Sequence, residues 1–456
     1  MQIDELHLTN FRCFDNTVIK FEPGFNIFIG DNATGKTAIL DALSIGVGAI
    51  VLGFDGIRSR PVRDKDIRGV FLEHASLITR EHQFPVVVKC MGQINGKKMI
   101  WHRTRSSLKG KTDRKDAQEV LDYGKSLTKQ VRDGKEVILP VIAYYPTTRL
   151  WREKKESESS LQPGSRLLGY QDCLSASSDI RAIRSWWKRH EMISLQKQKK
   201  TFQLEAVHKA VTDVMSDVEN VKFDLNHDEL IIAFTDGTTH LFSSLSDGYR
   251  NILAMTADIA IRASTLNPFL ADKAICQTCG IVLIDELDLH LHPKWQRQIV
   301  QDLRLVFPKI QFMVTTHAPQ ILTGAQSEEI NILKNMDSRI QIHRYDIPPG
   351  LRVDQILTGE WFGLQSTLDS DTLELLEQHR KILRKTKLSE REKLRCTEIE
   401  NILRQRLGNY ADTSLERMAL GVIAEITEQQ RPMTSEDRQK IRSELLNRTR
   451  QKRCAG

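Results

Sequence analysis

"FNIFIGDNATGKTAILDALSIGV", Phe25 to Val47, decides the fold. The apolar run Phe25 to Ile29 reads as a buried strand. Gly30 to Thr37 satisfies G-x-x-x-x-G-K-[ST], and the apolar residues beyond read as a helix to about Gly48. In that setting successive backbone N–H groups and the helix N-terminus surround an anion. The candidate nucleotide-binding residues are therefore Gly30, Asp31, Asn32, Ala33, Thr34, Gly35, Lys36, Thr37 and Ala38. Lys36 is expected to reach the β- and γ-phosphates, and Thr37 to offer its hydroxyl oxygen to Mg²⁺.

A second motif lies far downstream. In "IVLIDELDLHLHP" four apolar residues, Ile281 to Ile284, precede Asp285 and Glu286. A buried parallel strand would deliver the pair to its C-terminal end, where ligands sit in such sheets. Asp285 is expected to hold the Mg²⁺ shell with Thr37, and Glu286 to orient and deprotonate an attacking water. The next apolar strand, "IQFMVTTH", ends in His317, placed to hydrogen-bond a γ-phosphate. The expected catalytic residues are thus Lys36, Glu286 and His317.

Between them stands "SLSDGYRN", Ser244 to Asn251, a turn into an apolar helix. The order Lys36, Ser246, Asp285-Glu286, His317 is that of phosphate loop, signature, Walker B and switch histidine. It resembles the pattern of ABC-type ATPases, and "LSDGYR" resembles their LSGGQ signature. Asp247 and Tyr249 depart from the usual Gly and Gln. The resemblance implies that Ser246 and Gly248 cap the γ-phosphate of ATP held by a second subunit, so the chain is expected to form a homodimer, or a higher oligomer built on it. It also implies ATP and Mg²⁺ as cofactors.

The 456 residues allow two to four domain-sized units, and 40% hydrophobic with 27% charged residues is an ordinary soluble composition. Seven scattered cysteines suit a reducing compartment. With no leader and no long apolar run, a cytoplasmic protein without membrane contact is expected. Between Lys97 and Lys115 eight Lys or Arg face one acid, Asp113. That patch reads equally as a phosphate-contacting segment and as a solvated loop. The basic tail, Arg448 to Arg453, reads as a frayed terminus.

The expected fold is α/β: an ABC-type ATPase head with a mixed central sheet, an antiparallel β subdomain and a helical lobe, followed by an all-helical C-terminal region. The head is expected over 1–349, with an inserted β-hairpin turning at Asn95-Gly96 and a helical lobe at about 85–225. Residues 151–178 read as a flexible insertion, and Asp179 to Val221 as helical. Residues 350–456 are expected to be helical and partner-binding, with Leu373, Leu376, Leu383, Ile399, Leu403 and Leu407 as an apolar face or as the region's own core. "LDSDTLELL" reads as a helix start capped by Asp371 and Glu374 rather than a metal site. Cys276, Cys279, His290 and His292 bracket a buried strand and are not expected to share a zinc ion.

"LTNFRCF", "DELDLHLHP" and "TTHAPQIL" look like the soluble RecF/SMC/OLD branch, in which an arginine placed like Arg12 approaches the nucleotide. With no heptad run among the 207 residues between Thr37 and Leu245, long coiled-coil arms are not expected. "LSDGYRNILAMTADIAIRA", "YYPTTR", "LIDELDLHLHPKWQRQIV" and "GEWFGLQSTLDSDT" resemble the PtuA family, ATPases of Septu anti-phage systems that also occur in retron operons. The resemblance implies an HNH nuclease partner of the PtuB kind and, in the retron form, a reverse transcriptase with its RNA–DNA hybrid. It departs at Ala33, where Gly is common. No nuclease site is expected in the chain itself. The competing expectation is a RecF-like DNA-repair ATPase that grips duplex DNA through the 97–115 segment.

Overall fold

The computed structural model describes residues 1–407, apart from 75–76, 150–163, 175–179, 337–338, 348–349, 365 and 384–388. Most of the expected 151–178 insertion, and the basic tail, lie outside the described residues. The strands are β1 (Gln2–Phe11), β2 (Phe14–Lys20), β3 (Phe25–Gly30), β4 (Gly69–His74), β5 (Leu77–His82), β6 (Val86–Ile94), β7 (Lys97–Arg105) and β8 (Val141–Tyr145). They continue with β9 (Val218–Asp224), β10 (Glu229–Phe234), β11 (Thr239–Leu241), β12 (Gly280–Ile284), β13 (Ile310–Thr315), β14 (Ile330–Met336) and β15 (Arg339–His343).

A six-stranded sheet of order β15-β14-β3-β13-β12-β8 forms the centre. All neighbours are parallel except β14 and β15, so the sheet is mixed. Strands β8, β12 and β13 are buried along their whole length, which is why they read as continuous apolar runs rather than alternating ones. Because β3, β13, β12 and β8 are parallel, their C-terminal ends share one edge. That edge carries the phosphate loop, Thr316-His317, Asp285-Glu286 and Pro146–Arg149.

Helix α1 (Lys36–Val51) leaves the loop and is buried at every position but Thr37. It is apolar all round because it contacts both the central sheet and an antiparallel sheet of order β2-β1-β6-β7. The backbones come close at Gly46, where a Cβ would lie 2.3 Å from Cys90 Sγ. There Trp101 Nε1 donates to the Gly46 carbonyl at 2.9 Å. The β6–β7 hairpin turns at Asn95 (φ 53°) and Gly96 (φ 73°), as its Asn-Gly pair dictates.

Helix α2 (Gln118–Arg132) packs on α1. The lobe between β8 and the signature holds α3 (Ile180–Lys197), α4 (Phe202–Val214) and an antiparallel sheet of order β11-β10-β9. Val221, expected at the end of a helical run, lies in β9: the register Leu230–Phe223 and Ile232–Val221 buries alternate residues of both strands. Helix α5 (Asp247–Leu266) packs on α4.

Two compact units divide after Leu364, so the helix Val353–Thr358 lies with the first. The second unit shows an antiparallel-type helical hairpin, Ser370–Leu383 and Glu390–Leu407, whose helices are linked by a His379–Glu400 bond of 3.1 Å. Ile399 and Leu403 are buried and Leu373 and Leu376 half-buried. The side chains of Leu383 and Leu407 are outside the described set. The first helix is capped by Asp369, whose Oδ1 accepts the Thr372 N–H at 2.9 Å, and not by the expected Asp371–Glu374 pair. Asp369 precedes Ser370 and so holds the position from which a side chain reaches the free amides.

Candidate active site

The loop owes its shape to three left-handed residues. Gly30 has φ 147°, and a Cβ there would lie 2.4 Å from the Leu333 carbonyl. Gly35 has φ 93°, with the Cys13 and Phe14 side chains filling the space a Cβ would need. Ala33 has φ 65° and does have a Cβ. Asp31, Asn32 and Ala33 are exposed, and Thr34 turns inward, its hydroxyl donating to the Asp31 carbonyl at 2.8 Å. No side chain caps α1, whose N-cap is Gly35 and whose first turn holds no acid. Its free amides form an anion seat. Lys36 Nζ folds onto the loop, donating to the Gly30 and Asp31 carbonyls at 2.8 Å each. Burial lowers its pKa, opposed by the Asp285 and Asp31 charges.

Thr37, in the first turn of α1, meets the end of β12. Its hydroxyl is 2.9 Å and 3.1 Å from the two carboxylate oxygens of Asp285, and Thr315 Oγ1 donates to Asp285 Oδ1 at 2.7 Å. Asp285 is 1% exposed, and its carboxyl pKa is raised, chiefly by that burial. Among the described residues it has no ion-pair partner. A buried carboxylate held by two hydroxyls and short of a cation fits Mg²⁺, which takes oxygen donors.

Glu286 follows with φ 50°, a left-handed conformation that costs a non-glycine residue free energy. Thr315 Oγ1 accepts its N–H at 2.7 Å and Arg149 Nη2 donates to its carbonyl at 2.6 Å. Among the described residues its carboxylate has no hydrogen-bond or ion-pair partner. Asp288 holds the neighbouring strand end, accepting from Thr316 Oγ1 at 2.6 Å and the His317 N–H at 3.3 Å. The His317 ring is exposed.

The signature sits on its own helix. Ser246 is the exposed N-cap of α5 and makes no capping hydrogen bond with its side chain. Gly248 is buried where a Cβ would lie 2.3 Å from the His290 carbonyl. Arg250 pairs with Asp247, offsetting the charge that stands in place of the usual glycine. Tyr249 is anchored by Asp217 (2.5 Å) and stacked edge-on against Trp295 (4.6 Å). Among the described residues no hydrogen bond joins Ser246 or Gly248 to the phosphate loop.

Among the described residues Arg12 makes no hydrogen bond to the phosphate loop. It has φ 51°, and its guanidinium is bound to Asp41 and to Asp66. Arg60 and Tyr144 also bind Asp41, and these donors hold its carboxyl below the usual range against the opposing effect of burial. The adjacent Cys13 still lies against Gly35, so the β1–β2 turn covers the loop.

Sequence reasoning missed Arg149, Asp288, Thr315 and Asn251. Arg149 is 1% exposed; it donates to the carbonyls of Asp285 and Glu286 and, through Nε, to Asn251 Oδ1 at 3.1 Å. Asn251 Nδ2 in turn donates to the Leu289 carbonyl at 3.1 Å. The signals were present in "YYPTTR", "DELD" and "TTH", but nothing in their spacing says which residues meet.

The mixed sheet, the loop, the Asp-Glu turn and the signature helix between them define an ABC-type ATPase head. A family model described as AAA domain matches residues 5–219. The chain is 24% identical over 399 residues to the retron Vc95 probable ATPase of Vibrio cholerae serotype O1 biovar El Tor, covering 74% of this chain and 75% of that one. It is 35% identical over 207 residues to Septu protein PtuA of Bacillus mycoides, covering 45% of this chain but 27% of that protein. To the PtuA of Bacillus thuringiensis it is 23% identical over 395 residues, 84% of this chain and 89% of the other. A solved SMC head bound to the C-terminal winged-helix domain of ScpA aligns with 76% of this chain and 99% of its own, at 17% identity and a TM-score of 0.47. By sequence the chain is similar to Septu PtuA proteins and to retron ATPases.

Proposed function

We propose that the chain is the ATP-binding and ATP-hydrolysing subunit of an anti-phage assembly of the Septu or retron type, scaffolding and gating an HNH nuclease partner. The names of its relatives support the setting. The Thr37–Asp285 contact carries the chemical part, because it brings hydroxyl and carboxylate oxygens from two distant motifs to one point beside the phosphate seat.

In this reading the α1 amides and Lys36 bind the ATP phosphates, Lys36 exchanging loop carbonyls for phosphate oxygens. Thr37 and Asp285 hold Mg²⁺, which supplies charge neutralisation at the β- and γ-phosphates. Glu286, whose carboxylate has no partner among the described residues, orients a water and takes its proton; His317 hydrogen-bonds the γ-phosphate. Ser246, Gly248 and the α5 N-terminus of a second copy close the site, because the helix start carries no side-chain cap, Ser246 is exposed, and among the described residues no hydrogen bond joins them to their own phosphate loop. Nuclease activity comes in trans, from a partner docked on residues 350–456, and the nucleotide state of the head sets its access to substrate. In the retron form a reverse transcriptase and its RNA–DNA hybrid join the assembly.

The test is to assay the chain alone and with a co-encoded HNH protein for ATP turnover and nucleic-acid cleavage, with Lys36→Ala and Glu286→Gln alongside. Turnover without cleavage by the lone chain, and cleavage that needs the partner and responds to both variants, is expected. Cleavage by the lone chain, or partner cleavage indifferent to both variants, would refute gating. Tight, salt-sensitive duplex binding by the lone chain would favour the DNA-repair reading.

A further inference from the structure

Of the eight cations in segment 97–115, Arg103 and Arg105 are buried and the other six are exposed. Lys97 pairs with Glu119 at 3.1 Å, while the alternation of β7 turns Met99, Trp101, Arg103 and Arg105 inward. The chain then doubles back, Asp113 N–H bonding the Thr104 carbonyl at 2.7 Å, and sets Lys111, Thr112 and Arg114 beside Arg103. These residues and Ser59 line a cavity of about 390 Å³ that, among the described residues, no acidic side chain lines.

Arg105 is satisfied there by Asp64 at 2.6 Å. Arg103 is not. It is 3% exposed; its Nε donates to the Asp113 carbonyl at 3.1 Å, and its buried Nη1 has no partner. Among the described residues no carboxylate pairs with Arg103, Lys111 or Arg114. Burial, helped by the Arg114 charge, depresses the Arg103 guanidinium to about 10. A buried guanidinium without a counter-charge is costly, and an anion removes that cost. Asp113, whose charge opposes the shift, spends its carboxylate on the Arg114 and Lys115 amides at 2.6 Å and 2.9 Å.

The cavity is separate from the nucleotide loop. Leu52, in its wall, caps the far end of α1, whose 16 residues span about 24 Å from Lys36. That end of the helix dipole is negative, so the side chains alone must supply the attraction.

We infer that this cavity is a second anion site, which binds a phosphate group, free or carried on a nucleic-acid backbone, with Arg103 at its floor and Lys111 and Arg114 at its mouth. Arginine's planar fork suits bidentate contact with phosphate oxygens. The inference is independent of the function proposed above.

The test uses the full chain with its phosphate loop saturated by a non-hydrolysable ATP analogue and Mg²⁺. Thermal melts are recorded with added inorganic phosphate, and polarisation with a short fluorescein-labelled oligonucleotide. Lys111→Ala and Arg114→Ala should weaken the responding probe at least about tenfold in combination, with loop nucleotide affinity unchanged. Arg103→Met should abolish the response and yet melt no lower than the parent without ligand, because it removes an unpaired buried charge. A response to phosphate alone identifies a free anion as the source; a response to the oligonucleotide alone identifies a strand. No response to either probe, or equal responses in parent and variants, would overturn the inference. Should Arg103→Met fail to fold, the two mouth variants still decide it.

Discussion

Arg149 holds Asn251 of the signature helix at 3.1 Å while its other nitrogens bind the carbonyls of Asp285 and Glu286. One buried guanidinium therefore ties the Asp285–Glu286 turn to helix α5.

Arg149→Met should consequently separate binding from turnover. The loop and Lys36 are untouched, so ATP affinity should change by less than about threefold, while kcat falls by at least about tenfold as Glu286 loses its positioning. Carbonyls left unpaired in the interior should lower stability by about 2–4 kcal/mol. Single-turnover kinetics and a urea titration measure both; an unchanged kcat would remove Arg149 from the machinery.

Asp285→Asn should stabilise the nucleotide-free protein. The raised carboxyl pKa of Asp285 means that the folded state holds a proton the unfolded chain has released. Its contribution to stability is therefore present below the unfolded value and lost as pH rises through the folded one. At neutral pH the carboxylate is a cost, which the amide removes, and the variant's melting temperature should rise most above the folded pKa. The same change should erase the rise in melting temperature that Mg²⁺ adds to ATP. A fall in stability at neutral pH would contradict this reading of the site.

Gly248→Ala places a methyl 2.3 Å from the His290 carbonyl. Backbone must shift, at a cost of about 1–3 kcal/mol, and the signature turn moves with it. ATP turnover should fall more steeply than nucleotide binding by the monomer. Equal turnover in parent and variant would show that the close approach has no bearing on the site.

Ala33→Gly should act in the opposite sense. Ala33 holds φ 65°, where a Cβ costs about 1–2 kcal/mol, partly offset by the greater freedom of glycine in the unfolded chain. A gain of up to about 1 kcal/mol in urea unfolding is expected, and a loss would mean that the alanine methyl is used in packing.

Much of this architecture is legible in the residues themselves. The buried runs of β3, β12 and β13, the loop, and the Asn95-Gly96 turn each carry a local signal strong enough to place them. The β4–β5 hairpin and the β9–β10–β11 sheet went unread because their strands are short and partly exposed, with charged residues inside them. The ion-pair partners of Arg12, Asp41 and Asp66, went unread because their proximity depends on tertiary folding. The inward turn of Arg103 was hidden for the same reason: a cation run looks solvated until the pleat of β7 assigns it a side.

The most direct experiment mixes two inactive chains. Lys36→Ala destroys the loop and Ser246→Arg blocks the signature, but a heterodimer of the two rebuilds one complete site, from the Lys36 of one copy and the Ser246 of the other. Each variant alone should lack ATP turnover, and mixing them should restore part of the parental rate. Failure to restore it when the heterodimer is shown to form, or full turnover by Ser246→Arg alone, would contradict a site shared between two copies.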